Sequence, residues 1–247
     1  LLVSDPHVSG REMMKTEREP LDAMTSADEV ARRFERNDWI SAPVVDPQGK
    51  LLGRITIDDV VDVIREQADH SLAVMAGLGD GDVFTTVLAT APQRAVWLAI
   101  NLATAILAAS VIAFYQDTIE KVVALAVLMP IVASMGGIAG TQSLTVLIRA
   151  MAMGQINDRT EIWLVRREIL VSIINGLIWA FVIAVIAAYW FDDTTLGLII
   201  AFAIVINLIT AGIAGASLPL ILDRLRIDPA LAGGVVLTTI TDVVGFF

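Results

Sequence analysis

The sequence predicts an α-helical membrane protein with five transmembrane helices, preceded by a partial pair of small α/β domains and a long connecting helix. Three observations lead there. The 247 residues are 56 % hydrophobic with a mean hydropathy of +0.72, above the range of ordinary soluble domains. After Arg94 the apolar residues gather in runs close to the length that crosses a bilayer, about 20 residues. Before Arg94 the pattern is one of short helical and extended segments punctuated by Pro, Gly and Asp.

In the soluble part, Asp28 to Asn37 carries an amphipathic helical pattern. Ala42-Pro43-Val44-Val45-Asp46 reads as a short buried strand and Asp46-Pro47-Gln48-Gly49 as a turn. Leu51 to Ile57 is the return strand, and Asp58 opens a helix. This order resembles a cystathionine-β-synthase (CBS) domain, on the strength of Pro43-Val44-Val45-Asp46, Gly49-Lys50-Leu51-Leu52-Gly53 and Gly53-Arg54-Ile55-Thr56-Ile57-Asp58-Asp59. The resemblance implies that such domains work in pairs, with residues 1–10 the tail of a first copy and 11–57 the second. It also implies that Thr56 and Asp59 hold the ribose and phosphate of an adenosine nucleotide such as ATP.

Residues 58–93 read as the final helix of that domain and an acidic connecting helix. Asp58, Asp62, Glu66 and Asp69 stand at offsets of 0, 4, 8 and 11, within about 80° of one another at 100° per residue. Val60, Val61, Ile64 and Ala68 take the other side. Like charges one turn apart cost a few tenths of a kcal/mol each and favour a counter-ion. With Asp59 beside them, these carboxylates are candidate ligands for a regulatory cation; a solvated acidic face is the plain alternative. The domain boundary falls near Ala91-Pro92-Gln93-Arg94, where Pro92 suits a helix start.

Residues 94–247 hold five apolar runs: Ala95 to Tyr115, Val122 to Ile148, Ile169 to Phe191, Leu196 to Leu222, and Leu231 to Phe247. One set of flanks carries Arg94, Arg149, Arg159, Arg166, Arg167, Arg224 and Arg226; the other carries only Lys121. Basic flanks stay inside, so the soluble domain is expected to be cytoplasmic. Trp97, Trp163, Tyr189 and Trp190 lie near span ends, where amphipathic rings settle.

Within these runs one residue is charged, Asp242. If the last helix starts near Asp228-Pro229, Asp242 lies roughly 20 Å along it at 1.5 Å per residue. A carboxylate at that depth either faces a water-filled path or hydrogen-bonds helices together. Thr238 and Thr241 lie one turn or less from it. Their hydroxyls either join the carboxylate as oxygen ligands for a hard divalent cation or bond back to their own helix. The second span contains Pro130, Gly136-Gly137 and Gly140. Either it unwinds locally to line a path with backbone carbonyls, or it forms a small-residue packing seam. Asn175, Asn207 and the Gly212/Gly215/Ala216 cluster lean to packing.

Composition removes several functions. The chain has no cysteine, which excludes disulfides and thiolate metal sites. The net charge is −10, and the acidic soluble part argues against nucleic-acid binding and against docking of that part on anionic lipid. Both histidines, His7 and His70, lie outside the spans, which removes an intramembrane zinc hydrolase, and one intramembrane carboxylate is too few for an aspartyl protease. The first residues lack the basic region and cleavage site of a signal peptide. With no initiator Met and an apolar C-terminus, the chain reads as a fragment trimmed at both ends.

The whole chain resembles the MgtE family of bacterial magnesium channels. The second-span residues Pro130, Gly136-Gly137, Gly140, Gln142-Ser143 and Ile148-Arg149-Ala150 follow the family pattern. So do Asp228-Pro229-Ala230-Leu231-Ala232 and Thr238-Thr239-Ile240-Thr241-Asp242-Val243-Val244-Gly245 in the last span. The resemblance implies a multi-pass protein of a bacterial or archaeal plasma membrane. It implies a homodimer with one pore, where Asp242 of each subunit faces hydrated Mg²⁺ and Thr238, Thr241, Gly136 and Gly137 contribute to the ion path. It implies gating: regulatory Mg²⁺ bridges the acidic surfaces when cytosolic Mg²⁺ is high, and the connecting helix closes the pore. Two positions depart from the family: Ile138 stands where Asn is usual after Gly-Gly, and Gly234-Val235 where Gly-Pro is frequent. A carrier coupled to Na⁺ or H⁺ is the second reading, and a membrane-anchored nucleotide sensor the third.

Overall fold

The computed structural model describes residues 20–75 and 86–247. The chain divides into two compact units, one ending at His70 and the other running from Ser71 to Phe247. The expected tail of a first CBS copy, 1–10, lies outside the described residues, as do Asp80 and Asp82.

The first unit contains β1 (Leu21–Asp22), α1 (Ala27–Arg36), β2 (Ser41–Val45), β3 (Leu51–Thr56) and the start of α2 (Ile57–Met75). The sheet runs β1-β2-β3, with β1 parallel to β2 and β3 antiparallel to it. Ser26 caps α1, its hydroxyl accepting from the Glu29 amide. The β2–β3 turn is held by Asp46, whose Oδ1 accepts from the amides of Gln48 at 3.0 Å and Lys50 at 2.8 Å. Gly49 supplies the left-handed residue, at φ +78°. Leu21, Val30, Phe34, Ala42 and Val60 form the core. The sequence does not announce β1: two residues are too few to show a period of two.

The second unit is helical: α3 (Val87–Phe114), α4 (Gln116–Lys121), α5 (Val123–Ala152), α6 (Asp158–Phe191), α7 (Thr194–Arg224) and α8 (Pro229–Phe246). Four of these, α3, α5, α6 and α7, are long and apolar enough to cross a membrane. The fifth expected span, α8, has 18 residues, and its apolar part, Gly233–Phe246, is shorter than the others. Pro92 does not start a helix. It sits inside α3, which begins five residues earlier at Val87, and its missing N–H leaves the Leu88 carbonyl without the usual donor.

α7 is the central helix, packed against α5, α6 and α8, while α3 rests chiefly on α8. Leu128, Val132, Ala180, Ile200, Ile204 and Leu208 join three of these helices in one core. Small residues let the backbones approach. A Cβ on Gly215 would lie 3.0 Å from the Ser143 Cβ and meet the Gly140 carbonyl, and one on Gly212 would fall on the Ser172 side chain. Leu170, Ile174, Leu177 and Phe181 on α6 are exposed, as a lipid-facing helix requires. α5 is continuous through Pro130 and its glycines, so this span packs through a seam and does not unwind.

Arg224 Nη2 donates to Glu161 Oε1 at 2.7 Å. That pair ties the end of α7 to the start of α6, which places Arg159, Arg166, Arg167, Arg224 and Arg226 at one end of the bundle.

Candidate ion site

α8 starts at Asp228, whose carboxylate accepts from the Ala230 amide at 2.8 Å, with Pro229 in the first turn. From that start, Thr238 and Asp242 fall one turn apart on the same face. On α5, Ser134, Gly137, Ile138 and Thr141 recur every three or four residues on the facing side. These residues, with Ala133 and Gln142, line an open cavity of about 490 Å³. The Asp242 carboxylate has no hydrogen-bond or ion-pair partner among the described residues. Within the described residues it faces the open space of the cavity rather than a donor.

Of the predicted site residues, the structure brings Asp242, Thr238 and Gly137 to this cavity. Thr241 and Gly136 are elsewhere. Thr241 is fully buried and its hydroxyl donates to the Thr238 carbonyl at 3.0 Å. It follows Thr238 by three residues but precedes Asp242 by one, and neighbours in sequence point about 100° apart on a helix. Gly136 is buried against Asn207, whose amide occupies the place a Cβ would take. Thr238 also bonds back, to the Gly234 and Val235 carbonyls at 3.1 Å each. Its proton is thus committed, and its oxygen keeps lone pairs for a cation.

Sequence reasoning missed the other oxygens of this cavity, Ser134, Thr141 and Gln142. The signal was present as a polar stripe at helical spacing along α5. Ile138, one of the two departures from the family pattern, lines the same cavity and puts an apolar side chain where an amide is usual.

A buried carboxylate also escaped notice. Glu168 is 5 % exposed. Its Oε2 accepts from the Ser143 hydroxyl at 2.9 Å and its Oε1 from Arg167 Nη1 at 2.7 Å. It therefore links α6 to α5 just beyond the residues that line the cavity.

In the first unit, Asp58, Asp59, Asp62, Glu66 and Asp69 are all exposed along α2. They do not converge: among the described residues no three acidic or His side chains are grouped to hold a metal ion. Side chains on one helix face diverge outward, so a closed ligand set there needs oxygens from outside the helix. Thr56 and Asp59 do meet. The Thr56 amide and hydroxyl both donate to Asp59 Oδ2 at 2.9 Å, an arrangement that closes the first turn of α2.

Comparison with known proteins agrees with this architecture. Residues 129–247 match the model of the MgtE divalent cation transporter family, and residues 11–66 match the CBS domain. A magnesium transporter MgtE from Bacillus subtilis is 34 % identical over 244 residues, covering 98 % of this chain and 54 % of the relative. One from Enterococcus faecalis is 32 % identical over 216 residues, covering 87 % and 48 %. One from Thermus thermophilus is 33 % identical over 251 aligned positions, covering 99 % and 55 %. The chain spans about half the length of these relatives. The chain belongs to the MgtE family of divalent cation transporters and carries a CBS domain ahead of the segment that matches the family model.

Proposed function

We propose that the protein conducts Mg²⁺ across the plasma membrane as a homodimeric channel, with α8 as its fifth span. The observation that carries this reading is the partnerless Asp242 carboxylate facing an oxygen-bearing cavity at membrane depth. Mg²⁺ gives up its water reluctantly, so carboxylate, hydroxyl and amide oxygens around a roomy cavity suit the hydrated ion. The cavity is open, and a second copy of the chain would supply the facing wall and a second Asp242. The relatives' names support magnesium as the cargo.

The exposed carboxylates of α2 support a regulatory role for Mg²⁺ on the cytoplasmic side. Because they do not converge within one helix, an ion bound there would bridge α2 to another acidic surface. Such bridging would couple ion concentration to helix position.

The test is Mg²⁺ flux into proteoliposomes containing the full-length protein, wild type beside Asp242→Asn, at low and high Mg²⁺ on the side of the soluble domain. Flux that needs Asp242 and falls at high Mg²⁺ is expected. Wild-type flux in Asp242→Asn would remove the site, and flux that requires an imposed Na⁺ or H⁺ gradient would establish the carrier instead.

A further inference from the structure

The corner where α5 ends and α6 begins holds a second cavity, of about 420 Å³. Its lining combines the apolar side chains of Val146, Ile156 and Leu164 with the guanidinium groups of Arg149 and Arg167 and the indole of Trp163. No carboxylate is among the described residues lining it. Arg149 has no hydrogen-bond or ion-pair partner among the described residues. Arg167 is half exposed and gives one N–H to the buried Glu168, which orients the guanidinium and leaves its other donors free.

The position of the cavity along the helices narrows its ligand. The apolar run of α5 ends at Ile148 and that of α6 begins at Ile169, so the cavity lies where the spans meet the headgroup layer. Trp163 is 62 % exposed, in keeping with a ring resting at that interface. Exposed apolar side chains continue from it along both helices, Val146 on α5 and Leu170 and Ile174 on α6. A free anion would use the guanidinium groups and leave this apolar surface bare.

We propose that this corner binds an anionic phospholipid, its phosphate between Arg149 and Arg167 and its acyl chains along the α5–α6 face. Guanidinium forks match phosphate oxygens, and basic pockets between spans at the membrane surface favour anionic headgroups. A zwitterionic headgroup brings a cation of its own towards two guanidinium groups and is disfavoured.

The experiment is native mass spectrometry of the full chain in detergent, titrated with phosphatidylglycerol, phosphatidylcholine or inorganic phosphate. Wild type is expected to retain phosphatidylglycerol at concentrations where phosphatidylcholine is not held. Arg149→Gln, which disturbs no partner among the described residues, is expected to weaken that retention about tenfold, as loss of a charge-assisted hydrogen bond does. Arg167→Gln should act similarly, and Arg226→Gln, a flanking arginine outside the cavity, should leave retention unchanged. Equal retention by Arg149→Gln and wild type would overturn the proposal, as would equal weakening by Arg226→Gln or equal retention of phosphatidylcholine. Displacement of the lipid by millimolar inorganic phosphate would show an anion site without lipid specificity and overturn it as well.

Discussion

Asn207 of α7 donates from Nδ2 to the Val132 carbonyl of α5 at 2.8 Å, and the same amide fills the space that Gly136 leaves open. A Cβ on Gly245 of α8 would also lie 2.8 Å from Asn207 Nδ2. Three helices thus close on one fully buried side chain, one helical turn from where Gly140 meets Gly215.

Two adjacent glycines are expected to separate packing from conduction. Gly136→Ala drives a methyl into the Asn207 amide and should destabilise the bundle by about 1–3 kcal/mol. Gly137→Ala meets only the Thr238 Cγ2, at 4.0 Å, and should leave the unfolding temperature in detergent unchanged while reducing flux through the cavity. Equal effects of the two substitutions on stability would refute this division.

The two threonines make a parallel pair. Thr238→Val removes an oxygen from the cavity and is expected to lower Mg²⁺ flux without unfolding the protein. Thr241→Val removes a hydroxyl bonded within its own helix, so flux should stay close to wild type and stability should change by less than about 1 kcal/mol. Flux assays on both variants, normalised to reconstituted protein, decide it.

Much of this site was legible in the sequence, for identifiable reasons. Asp242 stands out because a charge inside an apolar run is costly and therefore conspicuous. Spans declare themselves by length. Which of Gly136 and Gly137 faces the cavity does not show, because the two differ only by rotation about α5 and the neighbour that decides it, Asn207, is 70 residues away. Thr241 was grouped with Asp242 by adjacency, whereas the helix sets them on different faces. Glu168 was hidden by company: beside Arg166 and Arg167 at a span boundary, a carboxylate attracts no attention until its burial is seen.

Removing Glu168 should be costly to the structure. Glu168→Ala leaves the buried Ser143 hydroxyl without its acceptor and frees Arg167, at an expected loss of about 1–3 kcal/mol. Glu168→Gln keeps an acceptor for Ser143 and should recover part of that loss. Thermal unfolding of both variants in detergent measures the difference; indistinguishable melting of Glu168→Ala and wild type would show that the contact contributes nothing.

Neutralising Asp62, Glu66 and Asp69 together to Asn, Gln and Asn should weaken the protection from protease that Mg²⁺ confers on α2 in the full-length protein. The three are exposed and none belongs to the core cluster of the first unit, so the fold should tolerate the change. Unchanged protection would reduce this face to a solvated one.

The central place of α7 also bears on how the protein is made. A chain emerges from the ribosome N-terminus first, so α3, α5 and α6 enter the membrane before the helix that gathers them exists. α5 and α6 touch each other lightly, and each finds its main surface on α7; α3 waits longer still, for α8. Until about residue 224 has been inserted, the earlier spans have little to hold but lipid. Assembly of this bundle is therefore a late event, and a nascent chain halted before Thr194 would present separate helices to the quality-control machinery rather than a half-built protein.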